Sequence, residues 1–166
     1  MNETYVEHMI KRKPNMVLKF LKTLCIMITV FLILLGMMGG GIIFLISGAL
    51  FAAISYFVGL NAEIEYEYLY VDRQLSIDKV LNRSRRKKVA TYEIGRMEIL
   101  APFKSYHLDS FKNRAAEEKD YSSGMVNQPD IRYIMYYDGK SKIIFEPNAE
   151  MVKAIAMVAP RKVFKD

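Results

Sequence analysis

TLCIMITVFLILLGMMGGGIIFLISGALFAAISYFVGLNA, residues 23–62, runs for forty positions without Asp, Glu, Lys, Arg or His. A bilayer-spanning helix takes about 20 apolar residues, so the block is long enough for two. Within it GMMGGGI, residues 36–42, sets Gly39, Gly40 and Gly41 in a row, the backbone freedom that a tight reversal demands. The block predicts a transmembrane helical hairpin over residues 16–60, with helices at 16–38 and 42–60, each about 30 Å long at about 1.5 Å per residue. A cleaved signal peptide shares the basic start and the apolar run. Here the charged lead-in is long, no small-residue cleavage site follows Met38 directly, and a second apolar stretch comes at once.

Charge orients the hairpin. Lys11, Arg12, Lys13, Lys19 and Lys22 precede it, its tip carries no charge, and Lys and Arg return after Leu60, which predicts an inner-membrane protein with both termini in the cytoplasm. Lys19 and Lys22 fall inside the first helix near its cytoplasmic end, where long side chains reach the headgroups. Neither helix buries an ionisable residue deep in the bilayer, which disfavours a channel or transporter. The single cysteine, Cys25, permits no internal disulfide, in keeping with a reducing compartment.

In the second helix Gly48, Ala52, Ser55 and Gly59 recur at spacings of four, three and four and line one face with small residues. That face is expected to receive the first helix; a second copy of the chain is the other candidate, so a homo-oligomer stays open.

The texture changes after Ala62. EIEYEYLYV alternates glutamates with Ile64, Tyr66, Tyr68 and Tyr70, and LSIDKVL resumes after DRQ, which together read as a β-hairpin. VATYEI and RMEILA read as two more strands, and IRYIMYYDGKSKIIFE carries a strong Asp138–Gly139 turn signal. PNAEMVKAIAMVAP supplies Asn148 as N-cap, an apolar stripe of Met151, Ile155 and Val158, and Pro160 as terminator. The fold class expected is therefore a membrane hairpin followed, over residues 63–166, by an α+β module: an antiparallel curled sheet or partly open barrel capped by a C-terminal helix. Upstream, residues 1–15 form a short basic segment. Thr4 and Glu7 at capping-box spacing, with Tyr5, Val6, Met9 and Ile10 on one side, predict a short helix on the membrane surface; a frayed tail is the alternative.

The order of two membrane helices, YLYVDRQLSI, a basic stretch, YEIGRMEIL and a last helix resembles membrane-tethered bacterial modules related to pleckstrin homology (PH) domains, over roughly residues 63–158. The whole chain, including YVEHMIKRKP, YHLDS and FEPNAEMVKA, is similar to a family of small bacterial two-helix membrane proteins of unknown function. The resemblance implies a PH-like fold whose last helix plugs a partly open barrel. In lipid-binding pleckstrin modules a basic first loop grips a phosphorylated headgroup. The corresponding turn here, Asp72 to Gln74, is short and nearly neutral, so no such pocket is implied.

The densest charge lies in LNRSRRKKV, residues 81–89, which packs Arg83, Arg85, Arg86, Lys87 and Lys88 into six positions. A first strand of nine residues climbs about 30 Å and the second returns most of it, so the tract comes back towards the membrane plane. There, with Lys11, Arg12 and Lys13, it is expected to meet anionic headgroups of the inner leaflet, each contact contributing on the order of 1 kcal/mol. A solvated hairpin end is the alternative. Nucleic acid is not expected, because no recognition helix or RNA-binding aromatic motif accompanies the tract.

His107 and Asp109, two apart in YHLD, would share one face of a strand and form a weak candidate polar site, but no nucleophile, third ligand or phosphate loop joins them. No cofactor or metal is expected. Residues 110–130 read as a long polar loop suited to a protein partner. The function expected is thus a non-catalytic membrane protein whose cytoplasmic PH-like module binds a protein partner or the anionic leaflet. An accessory subunit of a larger membrane complex, associating through its helices, is the alternative, and an enzyme a more distant one.

Overall fold

The computed structural model describes residues 5–126 and 129–165. The chain separates into two units, each discontinuous in sequence. One holds Lys13–Ile64 with Leu81–Arg85; the other holds the chain up to Arg12, Glu65–Val80 and everything from Arg86 onward.

The first unit is a helical hairpin. Helix α1, Met16–Leu35, starts at Asn15, whose side chain accepts hydrogen bonds from the Val17 and Leu18 backbone N–H groups and so satisfies two of the donors a helix start leaves orphaned. A single π-helical turn, Gly36–Gly40, follows, and α2, Ile42–Ala62, runs back. Gly39 and Gly41 take φ of 99° and 85°, the left-handed region where a Cβ is costly, which is why the reversal falls on glycine. Both helices are long and apolar enough to cross a membrane, and only 6% and 17% of their most apolar windows are buried.

The second unit begins with a correction. Val6–Lys11 is a strand, β1, and not a surface helix; Thr4, the expected cap, lies outside the described residues. Six residues cannot repay helix nucleation alone, whereas pairing with a partner strand satisfies the backbone and buries Val6 to 2% exposure. That partner is β2, Ile64–Val71, antiparallel with Val6 opposite Tyr70 and Lys11 opposite Glu65. The whole helical hairpin is therefore the connection between two neighbouring strands, so the sheet unit reaches back to the N-terminal segment instead of starting at residue 63. Asp72 and Arg73, at φ 49° and 63°, make the two-residue turn into β3, Gln74–Leu81, and β4, Arg85–Glu93, completes a sheet of order β1-β2-β3-β4.

The second sheet has the order β5-β7-β8-β6, from β5 (Met97–Pro102), β6 (Glu117–Asp120), β7 (Tyr133–Tyr137) and β8 (Ser141–Phe145). Asp138 and Gly139, both at positive φ, turn β7 into β8, while β6 pairs with β8 in parallel. The two sheets do not close into a barrel, and the pairing is not wholly antiparallel as the sequence suggested. Helix α3, Ala149–Val158, is capped by Asn148, which accepts from the Met151 N–H at 2.8 Å. Beyond it the chain bridges to β5, with Leu100 N–H donating to Lys162 O and Phe164 N–H donating to Leu100 O.

Both faces of the second sheet are buried. One carries Ile99, Ala101, Ile134, Tyr136 and Ile144 beneath Leu108, Phe111 and Phe164. The other carries Leu100, Met135, Ile143 and Phe145, none with exposed surface. Tyr66, Tyr68 and Tyr70 point inward from β2, as their alternation requires, and Tyr68 meets Phe145 edge-on at 5.6 Å between ring centroids.

The stretch expected as a long polar loop, residues 110–130, is mostly without regular structure but partly packed. Within residues 110–130 only the end of a 3-10 helix, Tyr106–Phe111, and strand β6 are regular, while Tyr121, Ser122 and Ser123 are buried; residues 127–128 lie outside the described ones. Pairing of β6 along β8 and the polar contacts described below fix it.

Candidate functional site

The basic tract is not one loop. Arg83 lies in the tight turn after β3 and Arg85 opens β4, both within the hairpin unit, whereas Arg86, Lys87 and Lys88 continue β4 in the sheet unit. The turn is tied to the end of α2, because the Asn82 N–H donates to Glu63 O at 2.9 Å. Arg85, Lys87 and Lys88 are exposed on an edge strand, where charge also blocks pairing with another chain.

Arg86 is committed elsewhere. Its Nη2 lies 2.9 Å from Glu67 Oε1, and the Glu67 side chain has no exposed surface. It borders a groove of about 430 Å³ on the outer face of the first sheet, shared with Tyr5, Glu7, Ser76, Asp78 and Lys88. The Tyr5 hydroxyl donates to Glu7 Oε2 at 2.5 Å. Burial pushes the Glu67 carboxyl above its usual range, and the hydrogen bond with Glu7 adds to this. Glu7 is held low by its bonds with Tyr5 and then Glu67. Glu67 Oε2 and Asp78 Oδ1 are buried with no hydrogen-bond partner among the described residues. No three His, Cys, Asp or Glu side chains among the described residues converge as metal ligands would.

Of the other cations, Arg12 donates to the Tyr66 hydroxyl at 2.8 Å and lies over its ring, and Lys11 sits on β1 opposite Glu65. Lys13 opens the hairpin unit. Along α2, Gly48, Ser55 and Gly59 are buried, while Ala52 is exposed. A Cβ at Gly48 would stand 3.0 Å from Ile33 Cγ1, and the Ser55 hydroxyl donates to Lys22 O at 3.5 Å, so this face packs on α1.

His107 and Asp109 do not share a strand face. They lie on the 3-10 helix started by Ser105, where each position turns about 120° around the axis, so residues two apart face different sides. The His107 ring stacks on Phe164 at 3.7 Å, and Asp109 pairs with Lys112 at 2.5 Å. Sequence reasoning missed a different polar cluster. Buried Glu146 accepts from Ser123 N–H and Oγ, while the Tyr68 hydroxyl donates to Tyr121 O at 2.6 Å. Burial lowers His8, which projects from β1 beside Tyr68, and Glu146 partly offsets this. Through these bonds the cluster fastens the segment after β6.

One family signature, described as a bacterial PH-like domain, matches residues 2–165. The chain belongs to that family, DUF6106. No curated protein and no solved structure matches it. In this PH-like module the first turn, Asp72–Arg73, is only two residues long, and the cations gather at the other end of β3, in residues 83–88.

Proposed function

We propose that the protein is a two-pass inner-membrane protein whose PH-like module lies on the cytoplasmic side and docks, without catalysis, against the anionic inner leaflet. The observation that carries this is the exposed apolar surface of α1 and α2. Phe20, Met27, Phe31, Ile42, Ile43, Leu50 and Phe57 are each more than 60% exposed, a state that water would penalise at roughly 25 cal/mol per Å² and hydrocarbon would not. The cations flanking the hairpin and its uncharged tip support the orientation. The exposed Arg85, Lys87 and Lys88, next in sequence to a turn bound to the end of α2, support a headgroup contact. A protein partner on the same cations is the second occupant that their chemistry admits.

Lys140→Cys places a thiol on the β7–β8 turn for topology mapping. An impermeant thiol reagent should leave it unlabelled in intact cells and label it after permeabilisation. Labelling in intact cells would reverse the orientation and refute the assignment.

A further inference from the structure

A second cavity of about 430 Å³ lies at the polar end of the helical hairpin, wholly within that unit. Lys19 and Lys22 enter it from one face of α1, three residues apart, and Asn82 enters from the turn after β3. Lys19 Nζ is 3.0 Å from Glu63 Oε1, also in the wall. The Glu63 carboxyl is held below its usual range by the hydrogen bond from Lys19, and Arg83 and Lys22 add to this. Three cations thus surround one carboxylate, and the excess is positive.

The glycine at position 59 makes the room. A Cβ there would stand 3.2 Å from Lys22 Cε and 3.4 Å from its Nζ, so the glycine lets the Lys22 stem lie against α2 with its ammonium in the cavity. The remaining wall is Thr23, Ala62, and Ile26, which is 45% exposed and sits one turn before Val30, itself 53% exposed. A ligand bound here meets ammonium groups at one end and a strip of exposed hydrocarbon at the other. That combination matches a phosphate ester carrying an acyl chain better than a free anion.

We infer that this cavity holds the phosphate of an anionic phospholipid of the inner leaflet, with Lys22 and Lys19 against its oxygens and its acyl chain along Ile26 and Val30. The site rests on the membrane assignment above. None of its lining residues belongs to the Asp72–Arg73 turn or to β4.

The test uses the full chain in nanodiscs of phosphatidylcholine with a minor fraction of phosphatidylglycerol, released and weighed by native mass spectrometry. Wild type should retain phosphatidylglycerol in preference to phosphatidylcholine. Lys22→Gln should cut that retention about fivefold, Lys22→Arg should keep it, and Lys153→Gln, on the exposed side of α3, should leave it unchanged. Equal retention of the two lipids, or unchanged retention in Lys22→Gln, would overturn the site. Displacement of the lipid by excess inorganic phosphate would assign the cavity to a free anion instead. Co-elution with the disc is read first: a chain that elutes free of it overturns the membrane assignment and the site together, whereas an inserted chain without lipid preference overturns the site alone.

Discussion

Arg86, on β4, reaches across β3 to place its guanidinium 2.9 Å from Glu67 on β2, a carboxylate whose side chain is wholly shielded from solvent. The pair explains how a glutamate survives at the centre of a sheet face, and it couples an edge strand to an inner one.

Removing one partner tests that coupling. Arg86→Ala leaves Glu67 buried with neither oxygen accepting a donor and should cost about 1–3 kcal/mol, a drop of several degrees in Tm. Adding Glu67→Gln should recover most of the loss, because the stranded charge is gone. Thermal unfolding of the purified single and double variants gives the comparison.

Proton linkage gives a second prediction. Glu67 is raised in the folded protein from an ordinary value of 4.5, so above pH 4.5 the folded chain holds a proton that the unfolded chain has released. Its contribution is full below pH 4.5 and is lost as pH rises through the raised value. Glu7 shifts the other way, so its contribution is present above pH 4.5 and fails only below that. Urea midpoints measured upward from pH 4.5 should therefore fall in wild type and stay flatter in Glu67→Gln.

The helix interface separates two residues that sequence spacing groups together. Gly48→Leu drives a side chain into Ile33 and should destabilise the hairpin by about 1–3 kcal/mol, whereas Ala52→Leu, on an exposed face, should be tolerated. Melting in detergent distinguishes them, and equal losses would contradict the packing described.

Helix α3 depends on its cap. Asn148→Ala removes the acceptor for the Met151 N–H and should lower stability by about 1 kcal/mol, while Asn148→Ser should restore most of it. Circular dichroism melts of the three proteins measure the difference.

What the sequence made legible was local. The uncharged block broken by glycines, the Asp138–Gly139 turn and the Asn148 cap each write their geometry into a few adjacent residues, and each is found where the pattern points. Strand β1 was illegible because Val6, Met9 and Ile10 also fit a helical stripe, and the strand that decides the matter starts only at Ile64. Glu67 read as a solvent-facing residue of an alternating strand; its burial comes from β1 and β3 on either side and from Arg86 overhead. YHLD reads as extended, which would pair His107 with Asp109, whereas the Ser105 side chain, accepting from the His107 N–H, starts a tight helical turn.

Strand β1 is synthesised first, yet its partner β2 leaves the ribosome only after both apolar helices have been made. Until then β1 has nothing to pair with, and a chain whose helices fail to fold back keeps the two strand ends apart. Completion of the first sheet thus reports that the hairpin has closed, making assembly of the module conditional on correct placement of the segment inserted within it.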